Sequence, residues 1–185
     1  MRLADLTPAD VGRAATDAVL QRLARLALPL SPGIALHVGP AQGDTDLGLT
    51  VASLCAWAQR GELGDWEDHE DAADALLTAT EVLYRAPLGD AWDAAVAAAC
   101  VEDGPADTDP VALVLAAAWS RLKVMRGHAI TATELARLAS VAPSWVRALV
   151  TRGEVAATRG TSQQPTRIEA SEARRWLASR GLTGW

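Results

Sequence analysis

The chain has 185 residues, half of them apolar, with seven Trp, one Tyr and no Phe, and a formal net charge of −6. So much apolar material supports a packed core and excludes disorder of the whole chain, and Ala-rich helices filled out by Trp suit this aromatic supply. The longest strongly apolar run, residues 111–119, is far short of the ~20 residues a helix needs to cross a bilayer, so no membrane partner is expected.

The total charge conceals a split. Residues 128–185 carry eight Arg against four Glu, a net +4, whereas residues 1–127 carry nine basic and nineteen acidic side chains, a net −10. Two parts with different partners are expected, the basic one being the candidate for a polyanion. The two cysteines, Cys55 and Cys100, each sit in an apolar helical setting and read as reduced, buried thiols, with no disulfide framework. The first residues lack a basic segment followed by an apolar stretch, so the expectation is a cytoplasmic protein.

In chain order, Thr7-Pro8-Ala9-Asp10 reads as a helix start: Thr7 caps, Pro8 takes the first helical position and an acid lies in the first turn. Val11, Ala15, Val19, Leu23 and Leu26 then recur at spacings of three and four until Pro29. Residues 29–46 hold Pro- and Gly-rich turns around residues 34–38 and read as a loop with at most one short strand. A second helix over residues 47–60 is ended by Gly61. Asp65 caps a third, which carries Ala73, Leu76, Leu77, Thr80, Val82 and Leu83 and stops before Pro87. A fourth is expected over residues 90–101. After an acidic linker, Asp109-Pro110 opens a fifth that runs to Arg126, with Gly127 as its stop. That fifth helix is apolar on nearly every side, as expected of the centre of a bundle or of a subunit contact. Only Gly127 and His128 separate it from the carboxy-terminal segment, so the two parts should be docked rather than loosely tethered.

From residue 133 the pattern tightens. Leu135, Ala136 and Ala139 share one side of a short helix, Ser140-Val141-Ala142-Pro143 turns the chain, and a second short helix runs from Ser144 to Arg152 and stops at Gly153. Val146, Leu149 and Val150 would pack on the first helix, leaving Ser144, Arg147, Ala148 and Thr151 outward, the face a major groove would meet. Trp145 either joins that face or packs beneath the helix. Residues 155–159 and 166–170 then form two short strands around a polar tip, a β-ribbon on which Arg159 and Arg167 could touch phosphates. Ser171 and Glu172 start a last helix with Ala173, Trp176 and Leu177 inward and Arg174, Arg175 and Arg180 free for solvent or backbone contacts.

This segment resembles the excisionase and MerR-type winged helix-turn-helix family, through Ile130-Thr131, Glu134-Leu135-Ala136, Val141, Val146, Leu149-Val150, Arg152-Gly153-Glu154, Ile168 and Trp176-Leu177. The likeness covers about a third of the chain. It implies binding of double-stranded DNA, with the second helix in the major groove, the wing on the adjacent minor groove or backbone, and dimeric or cooperative binding. The family's regulators carry this domain first and an effector region after it, so their metal or drug sensing does not transfer to a chain that carries it last. The candidate DNA-binding residues are Ser144, Trp145, Arg147, Ala148, Thr151, Arg152, Arg159 and Arg167. For Arg152 a phosphate contact and a bond to carbonyls at its own helix end are equally open.

The fold expected is therefore mainly α: an acidic helical bundle over residues 1–127, for oligomerisation or partner binding, and a winged helix-turn-helix with a short two-stranded ribbon over residues 128–185. Nothing points to an enzyme, a cofactor or a metal. His37, His69 and His128 are scattered, the acids from Asp65 to Asp71 do not close a ligand set at helical spacing, and Gly39, Gly43 and Gly48 match no phosphate loop. The expected function is sequence-specific DNA binding, as a transcriptional regulator or an excisionase-like accessory factor, by a homodimer or higher oligomer. The alternative is an adaptor that uses the winged fold to dock a protein.

Overall fold

The computed structural model describes residues 1–27, 46–80, 83, 109–160, 165–182 and 184–185. These residues are mainly helical, with seven α-helices, a short 3-10 turn at Leu3–Asp5 and one two-stranded antiparallel sheet. The expected strand near residue 36, the helix over residues 90–101, His37, Cys100 and the ribbon tip at residues 161–164 lie outside the described residues.

Helix α1 (Pro8–Ala27) starts as its sequence dictates: the Thr7 hydroxyl accepts from the Asp10 N–H at 3.2 Å, and Pro8 opens the first turn, where a missing N–H costs nothing. It buries Val11 and Ala15 against α2 (Asp46–Arg60). The two helices approach closely because Gly12 faces Gly48: a Cβ on Gly12 would stand 2.8 Å from the Gly48 carbonyl oxygen and 3.1 Å from the Ala52 Cβ. Helix α2 sends Val51, Leu54, Cys55, Trp57 and Ala58 into the same core, where burial pushes the Cys55 thiol up to about 11 and leaves it unreactive at neutral pH.

Helix α3 (His69–Thr80) begins later than the sequence suggests. Asp68, not Asp65, supplies the cap: its carboxylate accepts from the N–H groups of Glu70 and Asp71 at 2.8 and 3.1 Å, while Asp65 lies in a preceding turn. Trp57 donates its indole N–H to His69 Nδ1 at 3.2 Å, which seats this imidazole against a buried tryptophan. Among the described residues no cluster of His, Cys, Asp and Glu could hold a metal ion.

Helix α4 (Pro110–Met125) is capped by Asp109, whose carboxylate accepts from Val111 and Ala112, and it is buried on nearly every side. Its first four turns, through Val111, Val114, Leu115, Ala117, Ala118 and Leu122, belong to the core built by α1, α2 and α3. Val124, two residues further, belongs to a second core with Ile130, Leu135, Ala136, Val146, Leu149, Val155, Ile168 and Leu177. The change of core thus falls inside α4, ahead of the Gly127 at which the helix pattern ends.

That second core is enclosed by α5 (Ala132–Leu138), α6 (Pro143–Thr151), α7 (Ala170–Ala178) and the sheet of β1 (Ile130–Thr131) with β2 (Arg167–Ile168). Here the expected ribbon is revised. Ile130 pairs with Ile168 and Thr131 with Arg167, whereas the segment after α6 contributes a single bridge, Thr158 to Arg167. Ile130 and Ile168 are both buried in the second core, and burial of one face fixes strand register better than an exposed tip does. Helix α7 likewise begins at Ala170, one residue before the expected start.

Charged groups fasten α4 to the second core. Glu134 closes a capping box with Thr131 and also receives Lys123 Nζ at 2.5 Å. Burial alone would raise the Glu134 carboxyl, but hydrogen bonds from Lys123 and the Thr131 N–H outweigh it and hold this group below the ordinary glutamate range. Arg174 reaches from α7 to the carbonyls of Val124 and Met125 at 2.6 and 3.0 Å, completing acceptors that the helix end leaves open.

Both the close helix approach and the buried carboxylate can be tested by substitution. Gly12→Val should push α1 off α2 and lower the unfolding free energy by about 1–3 kcal/mol in a urea titration. For Glu134 the depressed pKa means a contribution present above the unfolded value of about 4.3 and lost as pH falls through the lower folded value. Glu134→Gln should therefore cost on the order of 1 kcal/mol at neutral pH, kept small by the partly exposed Lys123, and the gap from the wild type should close as pH falls towards about 3.

Candidate nucleic-acid interface

Helices α5 and α6 meet at a turn of four residues. Helix α5 ends with Ser140 in the left-handed region at φ 54°, and the Val141 N–H closes back on the Ala136 carbonyl at 2.9 Å. A left-handed serine is strained by roughly 1–2 kcal/mol. Its hydroxyl also accepts from the Ala4 N–H at 2.9 Å, which ties the turn to the start of the chain. Pro143 then opens α6 with its φ already helical.

Val146 and Leu149 on α6 are buried against α5, and Val150 is half-buried beside them. That orientation leaves Ser144, Arg147, Thr151 and Arg152 exposed and Ala148 half-exposed, so the outward face expected from helical spacing is open to solvent. The Thr151 hydroxyl donates to the Arg147 carbonyl at 3.0 Å, which keeps it close to the helix surface. Arg152 pairs with Glu154 at 2.5 Å, both side chains being about half exposed. Its charge is therefore partly neutralised, a third outcome beside the two the sequence left open.

Gly153, at φ +76°, ends α6 and turns the chain so that Val155 enters the second core. The strand after it meets β2 through Thr158 and Arg167, which exchange backbone hydrogen bonds of 2.8 and 3.0 Å. Arg159 and Arg167 are brought to this one hairpin base, and both are exposed. Among the described residues neither has a carboxylate within ion-pair distance.

Trp145 differs from its neighbours on α6. It is half-buried, with its ring 5.8 Å from that of Trp176 on α7 at an interplanar angle of 48°. Arg180, which sequence reasoning placed among free surface arginines, lies over both rings: its guanidinium carbon is 4.3 Å from the Trp145 centroid and 4.6 Å from that of Trp176. The other α7 arginines are engaged elsewhere, Arg174 on the α4 carbonyls and Arg175 on Glu172 at 2.6 Å. No spacing rule links positions 145 and 180, so the chain order carries no signal for this cluster.

The end of the chain is held against α4. Arg121 is completely buried and donates to the carbonyls of Ala58 and Gly184, with its guanidinium 4.1 Å from the Trp185 ring. Desolvation lowers its pKa to about 10, which still leaves it charged at neutral pH. No family model, curated protein or solved structure matches this chain.

Proposed function

We propose that residues 128–185 form a winged helix-turn-helix that binds double-stranded DNA, with α6 as the helix that enters the major groove and the hairpin carrying Arg159 and Arg167 as the wing. The observation that carries this reading is the open outer face of α6, bearing Ser144, Arg147 and Thr151, succeeded in the chain by two exposed arginines with no carboxylate partner among the described residues. A helix of this length presents three or four side chains to base edges, and guanidinium groups beside it are suited to phosphates. The resemblance to the excisionase and MerR-type family supports the same assignment, in which Arg147 meets a base edge or phosphate.

The charge available is modest, since Arg152, Arg174 and Arg175 are engaged within the protein. Affinity that rests on few phosphate contacts favours binding as a homodimer or an array, and the acidic residues 1–127 supply the subunit or partner surface in this reading. Whether the DNA complex serves transcription or recombination depends on the target site.

The test is fluorescence anisotropy with a labelled duplex. Wild-type affinity should fall by at least about tenfold between about 50 and 200 mM salt. Replacing Arg159 and Arg167 together by Ala should make the salt dependence shallower by about two phosphate contacts, and Arg147→Ala should weaken binding several-fold and reduce discrimination between duplex sequences. A folded wild-type protein that takes up no duplex at low salt, yet retains a protein partner on pull-down, would instead establish the adaptor reading.

A further inference from the structure

Arg180 is an exposed arginine seated on two aromatic rings. Its guanidinium lies over the faces of two tryptophans, at 4.3 and 4.6 Å, while the side chain stays exposed. Among the described residues it has no carboxylate partner and makes no hydrogen bond to protein. Stacking occupies the π face of a guanidinium and leaves the N–H groups in its plane available for an oxygen acceptor. Trp145, which supplies one of the two faces, is in the first turn of α6, beside exposed Ser144. The stacked cation is therefore held next to the end of α6 that carries the first outward side chain.

Resting on the DNA reading above, we propose that Arg180 is a contact to the phosphodiester backbone of the duplex at the amino-terminal end of α6, and that Trp145 and Trp176 are positioning residues that hold it there. An arginine side chain has considerable rotamer freedom to lose on making a fixed contact. Stacking removes much of that freedom before DNA arrives, so less affinity is lost on binding. The same role accounts for a bulky aromatic group at the start of a helix that faces a groove: Trp145 is half-buried against α7 and serves the arginine rather than the bases.

The experiment uses the full chain and a fluorescein-labelled duplex of mixed sequence, with binding measured across a salt series. Arg180→Gln keeps a planar group able to stack but removes the charge. It should lower the slope of log affinity against log salt by about 0.9, the value of one phosphate contact, and leave the thermal midpoint near that of the wild type. Arg180→Lys should restore the slope. Trp145→Leu should weaken binding several-fold with the slope retained, because the charge remains but is no longer held. Wild-type binding with the same slope in Arg180→Gln would overturn the role of Arg180 and leave the DNA reading standing. Absence of wild-type binding would overturn both.

Discussion

Helix α4 cannot be displaced without opening two cores at once, because Leu122 packs into one and Val124 into the other. A helix that is apolar all round loses hydrophobic free energy wherever it meets water, at roughly 25 cal/mol per Å² of apolar surface. Burial on every side therefore requires protein on every side, and here α1, α2 and α3 cover its first part while β1, α5 and α7 cover its last turn. The charged contacts at its end, Lys123 with Glu134 and Arg174 with two carbonyls, set the angle at which the second group of helices joins. The orientation of α6 is inherited from this junction.

Burial of Arg121 acts on the same helix. A guanidinium taken fully out of water loses several kcal/mol of hydration, and donation to two backbone carbonyls and contact with the rings of Trp57 and Trp185 offset part of that loss. Gly61 is required beside it, being at φ +77° and having no room for a Cβ next to the guanidinium. Gly184 and Trp185 are thereby held beside Arg60, Gly61 and Arg121, where the end of α2 meets α4, with Trp185 also against the second core.

The distribution of arginines reflects a division of work. Those that hold the architecture are paired with carboxylates or carbonyls, as Arg121, Arg174 and Arg175 are. Arg159, Arg167 and Arg180 have no such partner among the described residues and stand in the part of the chain with net positive charge. In the DNA reading proposed above, these three charges are the ones offered to an external anion. Attraction to phosphate is independent of base sequence, so in that reading discrimination between targets comes from the α6 face.

Much of the local structure was legible in the sequence. Thr7-Pro8, Asp109-Pro110, Gly61 and Gly153 fix where helices begin and end, because they satisfy or forbid backbone hydrogen bonds within a few residues of themselves. The spacing of Val146 and Leu149 determined which side of α6 is exposed, and the Thr131-x-x-Glu134 spacing would have located the capping box. The tertiary structure alone decided the rest: the pairing of Ile130 with Ile168, the engagement of Arg174 and the seat of Arg180 on Trp145. The reason is distance along the chain. Helix starts and faces depend on neighbours within one or two turns, which a sequence displays directly, whereas strand partners and the choice of a partner for a long cation depend on residues dozens of positions away, brought within reach only when both cores close around α4.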